Sequence, residues 1–253
     1  MAEPIVELES RCVTAGGWKA HVRVAEHATG PPVVLVHGLV ISSLYMVPTA
    51  RELAPYFRVY APDLPGFGLS DKPRRVLSVP EHAAWLAGWM GAMGLARAAF
   101  VGNSFGCQVI AHLAAGHPEL VSAAVLAGPT IDPHARSAPR QIGRWLVDWT
   151  RERPSLAPAH VRDYWHAGIP RALATFRLSL EDRIEEQLPR VQAPTLVVRG
   201  ARDRIVPAYW AREAAALLPR GRYAEVPGGP HCVNYTTPRR FVRLIRAFLA
   251  ECP

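Results

Sequence analysis

Lysine is nearly missing from this chain: of 29 basic side chains only Lys19 and Lys72 are lysines, and the rest are arginines. Those arginines are spread over segments of helical spacing, so the formal charge of +8 does not gather into the one-faced cationic patch that phosphate backbones require. The tightest group, Arg239, Arg240, Arg243 and Arg246, recurs at helical intervals and reads as the solvated face of an amphipathic helix. Cysteine is equally sparse. Cys12, Cys107, Cys232 and Cys252 stand far apart, with no Cys-x-x-Cys and no Cys/His cluster at ligand spacing, which argues against a zinc site and fits reduced thiols. Apolar runs such as "VVLVH" and "AAVLAG" fall far short of the roughly 20 residues of a membrane span. The opening "MAEPIVELES" lacks the charged, apolar and small-residue regions of a secretory signal. The expectation from these absences is a cytoplasmic chain with no metal, no cofactor, no nucleic-acid or membrane partner, and a small molecule as its substrate.

At 253 residues the chain is long enough for one globular core with an insertion. Short, continuously apolar runs ("VVLVHG", "FRVYAPD", "AAFVGN", "AAVLAGP", "TLVVRG") alternate with longer segments of helical period. That alternation predicts an α/β fold, a mostly parallel sheet with helices on both faces. Ahead of it, "IVELESRCVTAGGWKAHVRVA" reads as an antiparallel hairpin turning at Ala-Gly-Gly. One connection breaks the pattern. Residues 129–190 are too long for a plain loop and concentrate Trp145, Trp149, Tyr164, Trp165 and Phe176 among many arginines. They are expected to form an inserted helical subdomain, leaving 1–128 and 191–253 as the core. Its aromatics either pack against their neighbours or line a pocket, and both readings remain open.

Gly102-Asn103-Ser104-Phe105-Gly106 fits G-x-S-x-G between a strand-like run and the helical "CQVIAHLAAGHP". This is the setting in which a serine on a tight turn exposes its hydroxyl as a nucleophile. A serine needs a base and a group that orients the base. His231, in the glycine-rich "VPGGPHCVN", and Asp203, just after the run "LVVRG", lie where loops leave the carboxyl edge of such a sheet. Asp132 is the substitute for the acid. The oxyanion of an acyl-transfer intermediate requires backbone donors, here Phe105 after the serine and Leu39 in "HGLVISS". His37, at the end of a buried strand, is expected to bond to the local backbone. Val40, Trp145, Trp149, Trp165 and Phe176 are the candidates for lining a substrate pocket.

Taken together, "LVHGL", "DLPGFGLSD", "VGNSFG", "GARDRIVP" and "GGPH" occur in the order and spacing of the α/β-hydrolase superfamily, which the chain resembles from about Ile5 onward. The resemblance implies an eight-stranded, mostly parallel sheet, a helical cap after the sixth strand and a Ser104-Asp203-His231 triad. A serine rather than an aspartate at the elbow turns away from epoxide hydrolases and haloalkane dehalogenases. "GNSFG" is similar to the C–C bond hydrolases of meta-cleavage pathways, but "HGLVIS" lacks their glycine-rich oxyanion loop and Cys232 replaces an aromatic. The first expectation is therefore a hydrolase of a carboxylic ester, lactone or thioester. A C–C hydrolase and a small-molecule receptor on the same fold are the alternatives.

Overall fold

In the computed structural model of the chain, residues 7–252 are described. Eight strands form one sheet: β1 Glu9–Ala15, β2 Trp18–Ala25, β3 Pro32–Val36, β4 Arg58–Pro62, β5 Ala98–Asn103, β6 Val121–Ala127, β7 Thr195–Gly200 and β8 Gly221–Val226. Their spatial order is β1-β2-β4-β3-β5-β6-β7-β8. β1 pairs antiparallel with β2 across the Gly16-Gly17 turn, and β2 pairs antiparallel with β4. All other pairs are parallel. The hairpin is shorter than the sequence pattern, and Ile5 and Val6 lie outside the described residues.

Among the described residues the α-helices are α1 Val47–Leu53, α2 Val79–Ala92, α3 Phe105–Gly116, α4 Ala138–Trp149, α5 Leu156–Ala167, α6 Ile169–Glu181, α7 Ile184–Gln187, α8 Ala208–Leu217, α9 Val233–Thr236 and α10 Pro238–Ala250. Because side chains alternate faces along a strand, each apolar run feeds two cores. Val34, Val36 and Phe100 join Leu86, Trp89, Ile110 and Trp210 on the face covered by α2, α3 and α8. Val33, Leu35 and Val101 join Leu53, Phe241, Ile245 and Phe248 on the face covered by α1 and α10. Full burial of each such large apolar side chain is worth roughly 1.5–3 kcal/mol, which explains why the central strands carry no polar alternation.

Between β6 and β7 the chain forms α4 to α7. Ile184 and Leu188, at the end of this segment, sit in the main core with α3. The return to the sheet is thus fixed before β7 begins. Among the described residues no helix is long and apolar enough to cross a membrane, and no group of three or more His, Cys, Asp or Glu is arranged to hold a metal ion.

Candidate active site

The carboxyl ends of β3, β5, β6, β7 and β8 face the same edge of the sheet, and the chemistry-bearing residues lie on the loops that leave them. Ser104, between β5 and α3, adopts φ 56°, ψ −118°, a left-handed conformation that costs a non-glycine residue on the order of 1–3 kcal/mol. The turn closes because Gly106 has no side chain: a Cβ there would stand 2.3 Å from the Val36 carbonyl oxygen. Ser104 N–H donates to the Ala127 carbonyl at 3.0 Å, which anchors the turn to β6. Among the described residues the other non-glycine with a positive φ is Val40, at 59°, on the loop after β3. The two strained residues therefore occupy the two loops that carry Leu39 and Phe105. Phe105 opens α3, and an N–H in a helix's first turn has no partner within the helix.

His231 is buried on the loop after β8, and its Nδ1 lies 2.9 Å from Asp203 Oδ2. Asp203 Oδ1 accepts from the Ile205 and Val206 N–H groups, both at 2.8 Å, so one oxygen locks the carboxylate while the other holds the imidazole. Arg199, on β7, fixes the loop from beneath by donating to the Asp203 and Val206 carbonyls. Burial disfavours the imidazolium, but the charge and hydrogen bond of Asp203, with the further charges of Asp148 and Glu152, outweigh it and raise His231 to about 9. The other ring nitrogen, Nε2, is buried and has no hydrogen-bond partner among the described residues. His231 and Ser104 line the same cavity.

Asp132 does not reach His231. It is buried against Arg144 at 2.8 Å, the Tyr209 hydroxyl and the His134 N–H. His37 Nδ1 donates to the Gly38 carbonyl and its Nε2 accepts from the Leu64 N–H at 3.0 Å, which saturates both nitrogens. Asn103 faces the cavity, yet its amide donates to the Ala127 and His231 carbonyls, both at 3.1 Å, and accepts from the Tyr45 hydroxyl. Cys107 is buried beneath the turn, and burial pushes its thiol well above the usual range; Cys232 behaves likewise.

The cavity holds about 290 Å³, near the lower bound for small-molecule sites. Trp145, Trp149 and Phe176 line it from α4 and α6. Trp145 and Trp149 tilt against each other with ring centroids 5.5 Å apart, and His160 of α5 meets Trp149 edge-on at 5.1 Å. Two candidates from the sequence do not line it. Trp165 is 86% exposed: it follows Tyr164, which does face the cavity, and one residue along a helix turns the side chain about 100° away. Val40 is 1% exposed and packs into the main core. Sequence reading missed Tyr45, Asp148, Glu152 and His160, all of which line the cavity. Asp148 and Glu152 carried a signal, being the only acids between Pro133 and Arg162 and four residues apart. Among the described residues no arginine or lysine lines the cavity.

A mostly parallel sheet with helices on both faces, a serine on a strained strand-to-helix turn and a histidine-aspartate pair on neighbouring loops together define an α/β enzyme scaffold. Residues 31–190 match the family model described as alpha/beta hydrolase fold, so the chain belongs to that hydrolase family. It is 28% identical, over 92% of its own length and all of the relative's, to the pimeloyl-[acyl-carrier protein] methyl ester esterase of Xanthomonas oryzae. Among solved structures it is similar to a membrane phospholipase A described as a bacterial virulence factor, with a TM-score of 0.86 at 23% identity, covering 98% of this chain and 87% of that one. It is also similar to a serine hydrolase involved in carbazole degradation, at 0.81 and 24%, covering 96% and 99%.

Proposed function

We propose that the protein is a serine hydrolase of small, uncharged, mainly apolar carboxylic esters, acting through an acyl-enzyme. The observation that carries the reading is the buried, unpartnered Nε2 of His231, which shares a cavity with Ser104 while Asp203 holds the opposite nitrogen. In this reading Nε2 takes the Ser104 proton as Oγ attacks the ester carbonyl. The N–H groups of Leu39 and Phe105 receive the oxyanion, and His231 returns the proton to the departing alcohol. Water, activated by the same nitrogen, then frees the acid. No cofactor takes part. Residues 129–190 act as a cap over the serine, since α4, α5 and α6 all contribute to the cavity wall. The lining is mainly apolar and aromatic, with two acids and, among the described residues, no arginine or lysine, a combination that favours neutral substrates over carboxylates. The esterase activity named for the Xanthomonas relative supports the reaction class.

The test is Ser104→Ala, assayed on short-chain p-nitrophenyl esters and with a fluorophosphonate label; retained turnover or labelling in the variant overturns the proposal. The C–C hydrolase reading draws on Asn103, whose amide is taken up by protein partners. Turnover of vinylogous 1,5-diketones without esterase activity would restore it.

A further inference from the structure

The loops that bear Asp203 and His231 are held from above as well as by their strands. At the end of α4, Asp148 is buried and accepts from two backbone N–H groups: Arg204, next to Asp203, at 2.9 Å, and His231 itself at 3.2 Å. Three residues beyond the end of α4, Glu152 accepts from the Cys232 N–H at 2.7 Å and from the Thr236 hydroxyl. Asp148 thus bridges the acid loop and the base loop, and Glu152 pins the residue that follows the base. Among the described residues neither carboxylate has a basic side chain as a hydrogen-bond partner. A buried carboxylate is costly unless N–H donors satisfy it, and here the donors are supplied by the two loops that matter most.

We infer that Asp148 and Glu152 are positioning residues, a carboxylate clamp through which the inserted helices fix the Asp203–His231 pair. This rests on the esterase reading above for its catalytic meaning, but the clamp itself is independent of turnover. A purely structural staple and a positioning clamp differ electrically. The titratable groups that face His231 are Asp203 from the loop after β7, Asp148 from the end of α4, Glu152 from the turn that follows it, and Cys232 with Tyr45 beside it. Both clamp acids favour the imidazolium, so they assist the proton transfer in which His231 becomes charged. Burial in turn raises Glu152 to about 7, so its share of that effect grows across the neutral range.

The experiment follows the His231 ring by NMR as a function of pH in the Ser104→Ala protein, alone and combined with Asp148→Asn or Glu152→Gln, with kcat and KM measured in the matching single variants. Removing the Asp148 charge is expected to lower the His231 titration midpoint by about 1 unit, and Glu152→Gln by less. In the single variants kcat is expected to fall about ten-fold while KM changes little. If Asp148→Asn does not fold, Glu152→Gln carries the same measurement. An unchanged midpoint in folded variants overturns the clamp. A shifted midpoint in a protein without esterase activity keeps the clamp and removes the esterase reading instead.

Discussion

Ser10, His21 and Asp63 bring the same three residue types together in a second place, at the edge of the sheet and in a different chain order. Ser10 Oγ lies 2.6 Å from His21 Nε2, and His21 Nδ1 lies 2.8 Å from Asp63 Oδ2. Yet Ser10 is on an exposed edge strand, and neither it nor His21 borders the cavity. Asp63 meanwhile accepts from the Ser43 and Leu69 N–H groups, which makes it a junction of three loops. The contrast shows what distinguishes a nucleophile: a strained turn, neighbouring N–H donors, and a histidine nitrogen left open toward a cavity. A fluorophosphonate is therefore expected to modify the peptide containing Ser104 and not that containing Ser10, read by mass spectrometry of the digested adduct. Gly128 presents a subtler dependence. Its φ is 59°, and a Cβ there would come within 2.9 Å of the His231 ring. Gly128→Ala is expected to displace the imidazole and cost on the order of 10² in kcat; full activity in the variant would mean that the ring has room to move. The loop positions of the serine pentapeptide and Asp203 are legible because each follows an apolar run that has to end in a loop, while His231 follows the mixed strand "GRYAEV" and stands out by its glycine-rich setting. Gly128 is not legible, because a close approach between β6 and the His231 ring leaves no mark in local sequence.

At the scale of elements, the strands were readable and the phases of the inserted helices were not. A strand buried on both faces announces itself as a continuous run. α4 and α5 instead carry large apolar residues on more than one side: Leu146, Val147, Val161 and Trp165 are exposed while Trp149 and Tyr164 face the cavity. Composition alone gives no way to choose between such faces. The structure makes the choice testable. Trp149→Ala removes a wall of the cavity and its contacts with Trp145 and His160, and is expected to raise KM for an aryl ester several-fold. Trp165→Ala is expected to leave kcat and KM within about two-fold of the parent, as is usual for exposed substitutions. Equal effects of the two on KM would contradict the placement of these helices.

For the whole molecule, activity and stability are set against each other along the pH scale. His231 must be neutral to act as a base, so kcat/KM is expected to rise with pH, with a midpoint well above the ordinary 6.5 and toward 9. Stability runs the other way. A folded-state value raised from 6.5 to about 9 contributes stability that is complete below 6.5 and lost as pH climbs through 9. Glu152, raised from 4.5 to about 7, adds stability that is complete below 4.5 and lost as pH climbs through 7. Tm is thus expected to be lower at pH 9 than at pH 6, and His231→Gln should flatten that slope in calorimetry. The alternation of runs announces the mostly parallel sheet and the one long connection marks where α4 to α7 lie, whereas the strand order is encoded in neither signal. Nor is the electrical linkage between that insertion and the base loop, because it is made through backbone N–H groups that no side-chain motif encodes.

The left-handed turn at Ser104 has a consequence for how such a chain drifts. Glycine adopts that conformation without strain, so Ser104→Gly is expected to raise stability by about 1 kcal/mol, after the extra freedom glycine gives the unfolded chain, while abolishing turnover. A population of variants screened only for folding would therefore accumulate glycine at position 104. Serine persists there only under selection for what its hydroxyl does, which makes residue identity at that single turn a record of whether a lineage still uses the cavity.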